Sequence, residues 1–306
     1  MSRFFLLAIF SFAVCGVQAQ VTLAWKYPDG ATRKMAITNE IQQRLVLGEQ
    51  PMDTRSRTDM VISQNLRKKG DGVQMAIAIE SMQTSMTIPT VGELTFDSEK
   101  PDEKSDNPIV NMIQETLRAT AGLKWTTDVD ATGKVTAVDG FDEALQAISE
   151  DVRPAVAGQL ATDYQMQVAQ QEIDQLPKEA LRPGDEWTRE YIYRIERGQQ
   201  LTFTFVYRYD GTVDRAGKPL HKITMRATDV IYSTNQGSKT PFELLDQNLR
   251  VRESSGTMHF DNESGQVVDS TSKTRLVGTL VFGAGGGELP AKFDGTFTVS
   301  TKVLRE

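Results

Sequence analysis

Thiols and imidazoles are nearly absent from this chain. Its 306 residues hold one cysteine, Cys15, and two histidines, His221 and His259. A lone cysteine excludes a disulfide framework and a thiolate zinc site. Neither histidine sits in a His-Glu-x-x-His helix, and no Gly-x-Ser-x-Gly elbow is present. Positive charge is also in short supply. The chain sets 34 Lys and Arg against 41 Asp and Glu, a net charge of −7, the wrong sign for a general nucleic-acid binder. Beyond residue 20, no apolar run approaches the roughly 20 residues that a bilayer-crossing helix needs.

What is there begins with an export signal. Arg3 supplies a positive start, Phe4 to Val17 carry no charge, and Val17-Gln18-Ala19 places small residues at a cleavage site. This pattern predicts a secretory signal peptide over residues 1–19 and a mature protein released to the periplasm or the exterior. Cys15 follows Phe12-Ala13-Val14 rather than the small residues of a lipoprotein attachment site, so no lipid anchor is expected. Cleavage after Ala19 removes the only cysteine.

The mature chain reads mostly as strand. Leu23, Trp25 and Tyr27 alternate before the turn Pro28-Asp29-Gly30, and Met35, Ile37 and Ile41 suggest a second strand. Met60 and Ile62 lead through Lys69-Gly70-Asp71-Gly72 into Val73, Met75, Ile77 and Ile79, a β-hairpin with one apolar face. Met82 and Met86 extend that face, and Leu94 with Phe96 add a short strand. The run 97–106 is a charged, solvated connection. Asn107-Pro108 opens a helix whose apolar face is expected to be Ile109, Met112, Ile113 and Leu117, ending at Gly122. A hairpin follows, Trp125–Asp130 and Val135–Val138 about the turn 131–133. From Phe141 to Leu176 the composition turns helical, divided at Pro154 and ended by Pro177.

After the turn 181–185, Trp187, Tyr191 and Tyr193 begin an almost wholly strand-forming half. Leu201, Phe203, Phe205, Tyr207 and Tyr209 alternate up to Asp210-Gly211, where the strand is expected to end. Ile223, Met225, Ala227, Val230 and Tyr232 continue. A hairpin at 256–268, then Leu276–Phe282 and Phe293–Val303 about a glycine-rich turn, close the chain. The expected plan is a signal peptide (1–19), an N-terminal β-rich half (20–140), a helical connector (141–177) and a C-terminal antiparallel half (178–306). Weak internal likeness links the halves. Tyr27-Pro28-Asp29-Gly30 resembles Pro183-Gly184-Asp185-Glu186-Trp187, and Asp130 with Gly133-Lys134-Val135 resembles Asp261 with Gly265-Gln266-Val267. Duplication and chance fit this likeness equally well.

Four features invite chemistry. Asp128, Asp130, Thr132, Gly133 and Asp139 match part of a calcium loop, but the flanks read as strand where such a loop needs helices. Gly283–Gly287 leads to another strand rather than a helix, so no phosphate loop is expected. His259 near Asp261 lacks the surrounding signature of a triad. Met75, Met82, Met86 and Met112, with Phe203, Phe205, Tyr207 and Tyr209, suit either core packing or an adaptable apolar cavity. No catalytic residue, metal ligand or cofactor is assigned.

Trp25-Lys26-Tyr27, Leu181-Arg182-Pro183-Gly184-Asp185-Glu186-Trp187-Thr188 and His259-Phe260-Asp261 running to Ser264-Gly265, with the signal segment, resemble a secreted bacterial family of unknown function. That resemblance implies export and a layout but no activity. The sequence thus predicts a β-rich α+β protein, with curved antiparallel sheets in two halves and helices near 107–121 and 141–176. Its expected role is a non-enzymatic envelope protein whose partner is an apolar ligand or another envelope protein. A carboxylate-dependent hydrolase and a structural or adhesive module are the alternatives.

Overall fold

The computed structural model describes residues 20–89, 91–100, 105–194, 199–234, 243–284 and 287–304. The signal segment, residues 101–104 of the charged connection, and Gly285-Gly286 of the glycine-rich turn lie outside the described residues. The first half holds β1 (Thr32–Leu47), β2 (Gln50–Lys69), β3 (Gly72–Ile88), β4 (Gly92–Asp97), α1 (Pro108–Ala121), β5 (Lys124–Val129) and β6 (Val135–Asp139). The connector holds α2 (Phe141–Ala147), α3 (Arg153–Leu160) and α4 (Thr162–Ile173). Then come β7 (Glu186–Arg194), β8 (Gln199–Arg215), β9 (Lys218–Thr234), β10 (Glu243–Asp261), β11 (Gln266–Ala284) and β12 (Gly287–Leu304).

All twelve strands form one antiparallel sheet in the order β6-β5-β3-β2-β1-β12-β11-β10-β9-β8-β7, with β4 beside β3. The expectation of separate sheets is corrected here. β1 pairs with β12 from Lys34↔Leu304 to Leu47↔Ala291, which welds the two halves into one surface. A duplication is not confirmed. The hairpin arms thought to correspond are 6 and 5 residues long in β5 and β6, but 19 each in β10 and β11.

Three further expectations change. Leu23, Trp25 and Tyr27 form no strand; the segment touches the ladder only through the bridge Val21–Leu181. Alternation there reflects burial of Leu23 against Leu176, Tyr209 and Phe260, with the Trp25 ring set edge-on to Phe260. Asp210-Gly211 does not end β8. Gly211, at φ +98°, absorbs a register shift, and the strand runs on to the turn at Ala216-Gly217. In α1 the half-buried stripe packed on the core is Val110, Ile113, Leu117 and Ala121, while Ile109 and Met112 stay exposed. The cap itself is as expected, since Asn107 Oδ1 accepts from the Ile109 N–H.

Two glycines permit the tight wrap of the central strands. A Cβ on Gly278 would stand 2.0 Å from the Asn248 carbonyl oxygen of β10, and rigid backbone cannot retreat. Over Gly295 of β12 fold the rings of Phe293 and Phe297, and a Cβ there would meet Phe293 at 2.6 Å. Gly278→Ala should therefore destabilise the fold by about 3 kcal/mol, the upper part of the usual overpacking range. A urea midpoint unchanged from wild type would show that the β10–β11 approach is looser than described.

Candidate functional site

Strand register assigns every side chain of the central sheet to one of two faces. Across β3-β2-β1-β12-β11-β10, one face carries Met82, Met60, Ile37, Ile41, Val299, Phe297, Leu276 and Leu249, and no charged residue from Met35 to Leu47 or from Leu289 to Val303. The opposite face is ionic. Arg57 bridges Glu40 and Asp59, Arg275 pairs with Asp294 at 2.8 Å, and Lys34 with Glu80 at 3.1 Å. Helices and the N-terminal segment lie on the apolar side.

That apolar side is packed in three places. Helices α1 to α4 cover β2 to β6 around Leu66, Met75 and Phe141. The N-terminal segment covers the Phe260 end of β8, β9 and β10. At the other end, β9 separates from β10 beyond the five-residue ladder Gly256–Phe260, and Leu201, Val230 and Tyr232 close on Leu249, Leu276 and Leu280. Between these regions Met35, Ile37, Ile41 and Val299 belong to none of the packed clusters, and all four remain partly open to solvent. Asn39, Thr58, Ser270, Ser272 and Thr301 form a half-buried polar belt on the same face.

Helix α4 closes the curved sheet, because it packs on both β6 and β7, the two ends of the strand order. Adjacent glutamines cap the two edges. Gln170 accepts from Val135 N–H (2.8 Å) and donates to the Gly133 carbonyl (3.2 Å); Gln171 accepts from Ile192 N–H (2.7 Å). The Tyr164 hydroxyl accepts from Arg194 N–H at 2.9 Å. Below α4, Trp25 donates to the Ile173 carbonyl and Trp187 to the Gln175 carbonyl. Edge strands that would otherwise expose unpaired N–H groups are thus closed by a helix rather than by each other.

With about 3.6 residues per turn, α4 divides its sides cleanly. Met166, Ala169 and Ile173 face the packed core, Tyr164 and Gln171 face β7, and Asp163 pairs with Arg194 toward the exterior. The remaining side, Gln165, Val168 and Glu172, faces inward. Glu172 is solvent-exposed on that side, although the protein around it raises its carboxyl pKa. Tyr193, on the inward face of β7, behaves alike, 54% exposed but enclosed enough that burial raises its phenol pKa. Burial likewise raises Tyr191 and takes Tyr27 up to about 12, and the Glu172 charge adds to both shifts. Burial alone raises the Glu172 carboxyl, and no described residue hydrogen-bonds or pairs with it.

The residues singled out by sequence fall elsewhere. Asp128 pairs with Lys69 at 2.6 Å, and Asp130 Oδ1 accepts from Thr132 and Lys134 within its own turn. Asp139 sits across the ladder from Thr126, away from that turn. His259 bonds to Asp269 (2.7 Å) and Arg215 (2.9 Å) on the ionic face. His221 meets the Tyr209 hydroxyl at 2.8 Å, and its pKa is lowered by burial against the opposing pull of Asp261. Met75 and Met82 are core, Met86 is half-buried and Met112 is exposed. Phe203, Phe205, Tyr207 and Tyr209 do share the inward face, where Tyr207 donates to the Tyr191 hydroxyl at 3.0 Å. Gln170, Gln171 and Glu172 were missed. Their signal is three consecutive polar residues in an amphipathic helix, which must point in three directions.

Residues 70–216 match the model of a family of unknown function (DUF6263). No curated protein matches the chain. Similar solved structures include one on lipid–protein interactions in lipovitellin, at TM-score 0.44 and 10% identity, covering 92% of this chain and 26% of that one. The chain thus spans about a quarter of the lipovitellin chain. Others are OccK5 (OpdH) of Pseudomonas aeruginosa, at TM-score 0.27 and 8% identity over 92% of this chain and 100% of that one, and the translocator domain of the autotransporter NalP from Neisseria meningitidis, at TM-score 0.18 and 7% identity over 88% of each.

Proposed function

We propose that this protein is an exported carrier or sensor that holds an apolar small molecule inside the lumen closed by α4. The observation that carries the reading is the unpacked stripe Met35, Ile37, Ile41 and Val299, apolar side chains on the inward face that no cluster among the described residues covers. Filling that stripe with a hydrocarbon would remove apolar surface from water at about 25 cal/mol per Å², and the belt from Asn39 to Thr301 offers hydrogen bonds to orient it. Charges on the convex face argue for a water-facing exterior, since a membrane barrel puts its apolar side chains outward. No helix among the described residues is long and apolar enough to cross a membrane.

Native mass spectrometry of protein purified from its own envelope, followed by titration with an environment-sensitive naphthylamine dye, tests the reading. A co-purifying apolar mass, or saturable dye binding that an acyl chain displaces, is expected. Repeated preparations with neither would end it.

A further inference from the structure

One polar atom inside the fold lacks a partner. Among the described residues, Arg33 Nε is the only buried side-chain nitrogen or oxygen that makes no hydrogen bond. Register places Arg33 on the inward face of β1 with Met35, Ile37 and Ile41, because its neighbour Lys34 pairs with Glu80 on the ionic face. The half-buried guanidinium donates from Nη2 to the Lys26 carbonyl at 2.8 Å, and no carboxylate among the described residues pairs with it. An arginine cannot shed its proton to relieve such a position. Directly across the ladder stands Gln64. Its Nε2 donates to the Met75 sulfur at 3.1 Å, a weak acceptor. Two neighbouring donors are thus short of an oxygen, and the charge beside them has no counter-charge. The other ionisable groups on this side do not supply one. Tyr27 is kept neutral by burial, Lys26 turns its ammonium to the Glu263 carbonyl, and Glu172 is exposed on α4 and forms no ion pair with Arg33.

We infer that the ligand of the inward face is an amphiphile with an anionic head, a carboxylate or a phosphate, held by Arg33 Nε and Gln64 Nε2. This inference rests on the inward face being a binding site and specifies the head group which that site selects. An oxyanion supplies the missing counter-charge and acceptor together, and its bond to a guanidinium is roughly twice as strong as a neutral one. The acyl chain would run along β1 over Met35, Ile37 and Ile41. From Arg33 to Ile41 that path measures about 27 Å at the rise of an antiparallel strand, room for a long chain.

The test is a calorimetric titration of the full mature chain with decanoate, decyl phosphate, decanol and decyltrimethylammonium, each below its micellar limit and near neutral pH. At least one of the two anions should bind about tenfold tighter than decanol, one charge-assisted contact's worth, with decyltrimethylammonium weakest. A preference for decanoate alone identifies a fatty acid, one for decyl phosphate alone a phosphorylated lipid, and one for both a site that reads any oxyanion head. Arg33→Met should erase the preference while binding decanol as the wild type does. Gln64→Leu, which keeps the charge, should reduce the preference about threefold. Folding is checked by urea titration. Arg33→Met should unfold no earlier than wild type, because an apolar side chain replaces an unpaired, half-buried charge. Equal binding of anionic and neutral chains by the wild type, or a preference that survives Arg33→Met, overturns the inference and leaves the reading of the inward face standing. If none of the four chains binds, that reading falls and takes the inference with it.

Discussion

Replacing Gln170 and Gln171 together by leucine is expected to cost about 2–6 kcal/mol, because each leaves a part-buried edge N–H, Val135 or Ile192, without its acceptor at roughly 1–3 kcal/mol apiece. Leucine keeps the side-chain volume and the helix propensity of α4, so the loss isolates the two edge caps. Urea denaturation measures the total. Hydrogen exchange gives the finer result, since the Val135 and Ile192 amides should lose protection well before the β11–β12 ladder does. Single variants should each show about half the loss, because the two caps hold opposite sheet edges and share no partner. Should the double variant unfold at the wild-type midpoint, α4 merely rests on the edges and does not close them.

Much of the sheet could be read locally. The alternation of Phe203 to Tyr209 and of Val73 to Ile79 marks β8 and β3, and Gly70 at φ +60° makes the turn that its sequence announces. Asn107-Pro108 marks the start of α1 for the same reason, as a cap needs only its neighbours. What a strand's apolar face meets is not local. Ile37 and Leu276 look alike in sequence, yet one stays partly open to solvent and the other is fully buried. The pairing of β1 with β12 joins residues 244 to 270 positions apart, and no periodicity encodes such a closure. Trp25 shows the converse error. Alternation there arose from side chains plugging the sheet end, and nothing in the pattern distinguishes a plug from a strand. The site was hidden for the same reason, because Gln170, Gln171 and Glu172 are ordinary helix residues until two sheet edges arrive on either side of them.

That difference between Ile37 and Leu276 yields the second large effect. Leu276→Ala removes a side chain with no solvent exposure and should cost about 2–5 kcal/mol, the range for emptying a packed core site. Ile37→Asp puts a charge on the same face of the same sheet. In a dry core an unpaired carboxylate would be ruinous; in a water-reached lumen the charge stays hydrated, and the cost falls to about 1–2 kcal/mol, mostly lost strand propensity and partial burial. Binding should run the other way. Ile37→Asp should weaken decanol or dye binding at least tenfold, while Leu276→Ala, measured where it is still folded, should leave it within about threefold, since its side chain lies in the closed end of the sheet. The crossing of the two series is what matters. If Ile37→Asp unfolds the protein while Leu276→Ala is tolerated, the stripe from Met35 to Ile41 is core and the lumen is a misreading. If both behave as expected, the protein keeps an apolar wall wet, and a ligand seated there is a reason for leaving that wall uncovered.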